Sequence, residues 1–274
     1  MVLRGNLRTA GIERRRHPLS GSWFGEVAHD GSISAIIAQF GNGNVFVEAG
    51  DQPSIPRRLT NAFVADPLKP VAGVFGDADP ARDMLVQLGL RDVGYAINAS
   101  DVLYELDLNN LVVPQNARAD DFQMVDADKI ERNTLLRWLR AYEIEALNMA
   151  PEAARKKATK DIATFIANDS HRVLLAEGQP VAMSGYNTAF DEAVQVGGVY
   201  TPPALRGKGY ARRVVGRHMA QVRARGARQA VLFAASAAAA RAYTAVGFCP
   251  AGTFALVLFS KPAQIRAASV EGRT

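Results

Sequence analysis

Residues 196–211, Val196-Gly197-Gly198-Val199-Tyr200-Thr201-Pro202-Pro203-Ala204-Leu205-Arg206-Gly207-Lys208-Gly209-Tyr210-Ala211, constrain this chain more than any other stretch. An apolar strand pattern stops at two prolines, which cannot extend a hydrogen-bonded ladder. A glycine-rich loop then opens an amphipathic helix. Ala211, Val214, Val215, Met219 and Val222 mark that helix's apolar face, while Arg212, Arg213, Arg217, Arg223 and Arg225 lie largely elsewhere. Gly207 and Gly209 allow a tight turn and leave backbone N–H groups uncovered at the helix N-terminus, where an anion is favoured. Arg206 and Lys208 add formal charge. A diphosphate suits this entry, but the loop alone does not separate CoA from a nucleotide, or either from a solvated basic turn.

The surroundings narrow the choice. Three strand patterns precede the loop, at 172–177, 181–190 and 194–201, joined at Gly178-Gln179 and Asp191-Glu192. Such short joins predict an antiparallel meander, which is not the βαβ unit of a dinucleotide fold. The Gly-x-x-x-x-Gly-Lys-Ser/Thr pattern of a P-loop is absent.

Charge is unevenly placed. Residues 1–192 hold 20 Lys+Arg against 26 Asp+Glu, and residues 193–274 hold 12 against 1, a net −6 and +11. The basic segment coincides with the glycine-rich helix and carries no nucleic-acid motif, so polyphosphate is preferred over nucleic acid. Cys249 is the sole cysteine, which excludes an internal disulfide or a multi-thiolate metal site; a packing role is expected for it. His17, His29, His171 and His218 lack metal-ligand spacing, so no metal is expected. No run long and apolar enough for a membrane span or a secretory signal occurs, which makes a cytoplasmic protein the expectation.

A second motif follows at a suitable distance. A strand at 229–235 leads into a helix with Ala239 and Tyr243, then Gly247-Phe248. Ser236 stands as N-cap, and Gly247 suits a positive-φ residue after the helix. Together, Arg206-x-x-Gly209-x-Ala211 and Ala239-x-x-x-Tyr243-x-x-x-Gly247-Phe248 resemble the GNAT superfamily of N-acetyltransferases, with Ser236 where the family pattern has Asn. The resemblance implies the GNAT acyl-CoA acyltransferase fold, an α/β architecture built on a mixed sheet, over residues 119–262.

The same resemblance implies the site. Val199, Tyr200 and Thr201 would end a strand that splays from its parallel neighbour and offers free backbone groups to the pantetheine arm of acetyl-CoA. Arg206, Gly207, Lys208, Gly209, Tyr210, Ala211 and Arg212 would hold the pyrophosphate, with Ser236 nearby in place of an amide contact. Tyr243 would be the catalytic proton donor to the leaving thiolate. No placed nucleophile argues for a covalent intermediate, so direct transfer of an acetyl or short acyl group to a primary amine is implied. Glu143 and Glu145, on the first helix of this domain, are candidate acceptor-binding residues; Asp191 and Glu192 read as turn surface. The alternative is a sensor that binds acyl-CoA without turnover.

Residues 1–115 read as a smaller α/β domain, with strands at 22–28, 33–40, 44–49, 71–75 and 102–108 and helices at 55–64 and 80–88, the second started by Asp79 as N-cap and Pro80. Gly73-Val74-Phe75-Gly76-Asp77 precedes a helix without an Arg-x-x-Gly-x-Gly/Ala loop, so this part resembles a degenerate GNAT-like repeat with no second site. An amphipathic helix is expected over 127–149, a second helix over 151–168, and a frayed tail after Ser260, assigned as a flexible segment over 263–274. Oligomeric state, a homodimer included, stays open.

Overall fold

The computed structural model describes residues 20–114, 122–147, 149–190, 192–234 and 236–265. Their order is β1 (Gly21–Val27), β2 (Ile33–Phe40), β3 (Asn44–Glu48), α1 (Arg57–Ala65), β4 (Val71–Asp77), α2 (Ala78–Gln87), β5 (Tyr95–Asp107), β6 (Phe122–Asp126), α3 (Arg132–Leu147), α4 (Pro151–Ala167), β7 (His171–Ala176), β8 (Gln179–Phe190), β9 (Ala193–Tyr200), α5 (Tyr210–Ala224), β10 (Gln229–Phe233), α6 (Ala237–Thr244) and β11 (Cys249–Ala263). The chain divides into two compact units, residues 1–102 with 252–274, and residues 103–251.

The first unit carries the strand order β1-β2-β3-β4-β11. β1, β2 and β3 are an antiparallel meander, β3 pairs parallel with β4, and β4 pairs antiparallel with β11. Alternation dictates its core: Ile37, Val45, Val47, Val71, Val74, Ala255 and Val257 meet Phe63 of α1 and Met84 and Leu85 of α2. α2 starts two residues earlier than its sequence signal suggests. Asp77 is the N-cap, and Asp79 and Pro80 lie inside the first turn, where a carboxylate suits the dipole and a missing N–H costs nothing.

The second unit runs β5-β10-β9-β8-β7-β6. Again three strands, β7, β8 and β9, form an antiparallel meander; β9 pairs parallel with β10, and β10 antiparallel with residues 103–107 of β5. One face packs on α5 through Val194, Val196, Val214, Val215 and Met219. The other packs on α3 and α4 through Trp138, Leu139, Ile162, Val173, Met183 and Tyr200. The helix expected from residue 127 begins at Arg132, after a single 3₁₀ turn at Ala127–Lys129.

The chain's last strand therefore completes the first unit. Residues 103–108 lie in the second unit and 252–262 in the first, each on the other side from the division drawn on sequence pattern. The frayed end expected after Ser260 is corrected to a strand through Ala263, which pairs with Val71 while Ile265 packs on the first core. Cys249 is exposed rather than packed, because β11 pairs with β4 only from Phe254 onward. His17, residues 115–121, Asp191 and the tail from 266 lie outside the described residues.

Candidate functional site

β9 and β10 share a parallel register only over Ala193–Gln195 and Gln229–Val231. β9 then runs on for another five residues to Tyr200 with no partner on that side among the described residues, so the two strands part toward their C-terminal ends. On its other side the register with β8 slips: Gly185 faces Gly197 and Met183 faces Tyr200, so Gly198 and Val199 together oppose Ser184. Two residues against one is a β-bulge, and Gly198 adopts the φ of +62° that such a kink demands. A side chain there is also barred by His171, whose Nε2 lies 2.7 Å from where a Cβ would stand. The imidazole stacks on Phe165 at 3.8 Å between centroids and meets Ser170 Oγ through Nδ1 at 2.9 Å. Burial, then the charge of Arg172, lowers its pKa to about 3, so the ring is neutral.

Beyond β9, Pro203–Leu205 form a 3₁₀ turn and the glycine loop follows. Gly207 has φ +79°, and Gly209, the N-cap of α5, has φ +77°. Gly209 has no side chain to cap the helix, so the first N–H groups of α5 face outward for an external acceptor. Lys208 and Arg212 are exposed beside them, and the Arg212 guanidinium folds back over Gly209. Tyr210 packs edge-on against Phe122, and Ala211 is half-buried.

Arg206 behaves differently from its loop neighbours. Its Nε donates to the Thr201 carbonyl at 3.0 Å, its guanidinium pairs with Glu145, and the cation lies 5.8 Å from the Tyr200 ring centroid. Glu145 also accepts from the Tyr200 hydroxyl at 3.5 Å. Glu143 is buried and paired with Lys157 of α4 at 2.9 Å. Burial opposes the Lys157 charge, but Asp161 and Glu143 outweigh it and raise its pKa. The two glutamates thus part ways: Glu145 reaches the glycine loop through Arg206, and Glu143 ties α3 to α4. Val199 packs partly on the α5 side, and the Thr201 hydroxyl is buried with no partner among the described residues.

On α6, Ser236 is the expected N-cap, its Oγ accepting from Ala239 N–H at 3.2 Å. Gly247 has φ +105°. Tyr243 is buried against Phe248, with ring centroids 6.1 Å apart. Burial, and next the proximity of Tyr142, raises the pKa of Tyr243, keeping the hydroxyl protonated. Tyr142 of α3 stands at helical spacing from Trp138 and Leu139, on the helix's apolar stripe. Its own pKa is raised by burial, against which a hydrogen bond from the Gly198 backbone works in the lowering direction. The sequence signal for the bulge was present in the pair Gly197-Gly198 inside a strand pattern; nothing comparable marked Tyr142.

The α5 arginines divide as well. Arg213 stacks on Phe122 at 4.4 Å, Arg217 donates to the Phe122 carbonyl at 2.6 Å, Arg223 to the Leu108 carbonyl at 3.1 Å, and Arg225 pairs with Asp169 at 3.0 Å. Much of the basic segment is therefore engaged within the fold. Among the described residues no helix is long and apolar enough to cross a membrane, and no cluster of His, Cys, Asp and Glu is arranged to hold a metal.

A meander whose last strand leaves its parallel partner beside a glycine-rich helix N-terminus is the GNAT acyltransferase fold. Residues 132–248 match the acetyltransferase (GNAT) family and constitute a GNAT-family domain. Solved structures similar in fold include a GCN5-related N-acetyltransferase from Kribbella flavida, 14% identical over 94% of this chain and 93% of that one, with a TM-score of 0.55. A Drosophila protein gives 0.59 at 11% identity, covering 94% and 89%. A GCN5-related N-acetyltransferase from Sphaerobacter thermophilus gives 0.51 at 15% identity, covering 96% and 87%. No curated protein matches the chain significantly.

Proposed function

We propose that the protein is a cytoplasmic N-acetyltransferase that moves an acetyl, or related short acyl, group from acetyl-CoA directly to a primary amine. The observation that carries this reading is the parting of β9 from β10 directly beside the uncapped N-terminus of α5. The N–H groups at Gly207–Arg212 bind the pyrophosphate, with Lys208 and Arg212 adding charge. The backbone of Val199, Tyr200 and Thr201 holds the pantetheine arm, and the lone buried Thr201 hydroxyl gains a partner there. Arg206 acts through its pairing with Glu145, which places a carboxylate beside the cleft for the acceptor amine; Ser236 shapes the start of α6 next to the cofactor.

In the transfer the amine nitrogen bonds to the thioester carbon, the C–S bond breaks, and the amine proton leaves to water. Tyr243 gives its proton to the departing sulfur and regains one from solvent. Its weakened acidity is matched by the site, because a thiolate in the same dry surroundings is a stronger base than in water.

The burial of Tyr243 also favours a second reading, a sensor that binds acyl-CoA without turnover. An amine panel followed by CoA thiol release separates the two. Turnover by the wild type, with Tyr243→Phe losing roughly a hundredfold or more in kcat at unchanged acetyl-CoA affinity, supports the enzyme. Binding with no turnover of any amine supports the sensor. We propose that the first unit is a degenerate repeat of the same fold without a second acyl-CoA site.

A further inference from the structure

A thioester held where β9 leaves β10 must extend its acyl chain in some direction, and the groups around Gly198 decide how far that chain can run. The inference rests on the transferase reading above, which lays the pantetheine arm along Thr201, Tyr200 and Val199. The pyrophosphate sits at the start of α5, beyond Thr201, and the parallel ladder closes the gap at Gln195. An arm running from the first point toward the second brings its thioester beside Gly198. That residue has no side chain, so the α4 face of β9 is open there as far as the first group that covers it.

The covering group is His171. Its Nε2 stands 2.7 Å from where a Cβ of Gly198 would lie and 2.1 Å from where a Cβ of Gly185 would lie, too close for any carbon atom. The stack on Phe165 and the contact of Nδ1 with Ser170 Oγ hold the ring there. Nε2 is buried with no hydrogen-bond partner among the described residues, so an alkyl chain arriving over Gly198 meets neither room nor an apolar surface. The same imidazole also lines a small cavity whose other lining side chains are all apolar, among them Leu135 and Leu139 of α3, Ile162 of α4, Val173 of β7 and Met183 of β8. His171 is thus the partition between this apolar cavity and the point where the arm ends.

We propose that His171 determines acyl-chain length: its imidazole stops the chain at Gly198 and shuts it out of the apolar cavity, so that acetyl is accepted and longer acyl groups are refused. Removing the ring joins the cavity to the gap. Each added methylene of the acyl chain then passes over Gly198 and is buried among Leu135, Leu139 and Ile162 instead of colliding with Nε2.

The test compares acetyl-CoA, butyryl-CoA and hexanoyl-CoA as donors to the best amine of the panel. The wild type favours acetyl-CoA in kcat/KM. His171→Ala raises the ratio of hexanoyl-CoA to acetyl-CoA roughly tenfold or more. His171→Val keeps a strand-forming residue and opens less room, so the ratio rises less and butyryl-CoA gains before hexanoyl-CoA. His171→Gln, similar in length to histidine, keeps the wild-type order. Each ratio is taken within one variant, so a loss of folded protein cancels, and a residue that only stabilised the fold would leave it unmoved. A wild type that uses hexanoyl-CoA as well as acetyl-CoA, or an unchanged ratio in both His171→Ala and His171→Val, overturns the proposal and leaves the transferase reading standing. A wild type that binds acetyl-CoA but turns over no amine overturns that reading instead. The ratio of dissociation constants for hexanoyl-CoA and acetyl-CoA then decides the role of His171, a rise in His171→Ala supporting it and no change overturning it.

Discussion

The two units share one strand order, β1-β2-β3-β4-β11 against β7-β8-β9-β10-β5, and use its parallel pair in opposite ways. β3 keeps register with β4 from Asn44 to Val47, nearly its whole length, whereas β9 leaves β10 after Gln195. In the first unit Gly76 lets the two backbones close, a Cβ there standing 1.9 Å from the Val47 carbonyl oxygen. The loop after β3 holds Asp51 and Pro53, where the second unit has Arg206 to Gly209. Burial follows the same division. The buried polar side chains of the first unit, Ser20, Ser22, Gln39 and Thr60, carry no acid or base group, while the second buries the ionisable Glu143, His171, Arg172, Arg213 and His218. The unit whose parallel pair stays in register is held by apolar packing; the unit whose pair parts also buries ionisable side chains.

The sharpest way to break this comparison is to remove a buried polar side chain from each unit. Arg172 is 2% exposed and links Asp126 at 3.0 Å and Asp169 at 2.7 Å, and its Nε donates to Gln221 at 3.1 Å. Arg172→Ala is expected to cost about 3 kcal/mol in denaturant unfolding, toward the low end for a buried pair because both carboxylates can rehydrate. Gln39 of the first unit donates to the Lys69 carbonyl and accepts from Leu68 N–H, both at 2.7 Å. Gln39→Ala should cost about 1–2 kcal/mol. Equal losses would show that the burial of charge in the second unit carries no special weight.

Acid should find the same boundary. His171 and His218 are neutral in the fold, each pulled to about 3, His218 by burial first and by Arg172 next. The unfolded chain takes up protons below its pKa of about 6.5 while the folded one does not, so their stabilisation is complete above pH 6.5 and is lost as pH falls toward 3. Each contributes up to about 1.4 kcal/mol per pH unit within that window. Hydrogen exchange between pH 6.5 and 5 should show β7 and β8 losing protection before β2 and β3. Simultaneous loss would mean the two units unfold as one.

Smaller effects separate backbone cost from ligand binding. Gly31 and Gly207 have φ of +83° and +79°, both with open space where a Cβ would go. Alanine at either position should cost about 1 kcal/mol of stability, and only Gly207→Ala should weaken acetyl-CoA binding in titration calorimetry. The least effect is expected from Lys208→Ala, roughly threefold to tenfold in affinity and shrinking as salt is raised. Asp51→Ala in the matching loop should change nothing measurable in that titration.

How much of this was legible in the sequence varied with the physical signal. β2, β7, β8 and β9 alternate cleanly between buried and exposed positions or end at glycine turns, so period and punctuation located them. The first half of β5 is exposed on both faces and rich in Asn, Ser and Asp, so only the stretch near Tyr104 and Leu106 reads as strand. β11 was hidden by Pro250, Gly252 and Pro262, and its partner β4 lies far away in the chain. At the site, the glycine loop and the Tyr243 helix were readable because each places a residue type at a fixed spacing. Tyr142 sits on an apolar stripe at helical spacing, where a ring signals packing and its hydroxyl signals nothing.

The exchange of the closing strands bears on how the molecule is made. On a ribosome, residues 20–94 emerge well before Ala255, Val257 and Phe259 of their core, and until then they cannot complete their sheet. β5, by then available, is claimed by β10. A nascent chain paused at residue 248 holds the whole glycine loop and Tyr243 yet leaves β4 with a bare edge, the kind of surface that pairs with strangers. Maturation here runs against the direction of translation: the unit whose strands β1 to β4 are made earlier is the one completed later, by β11.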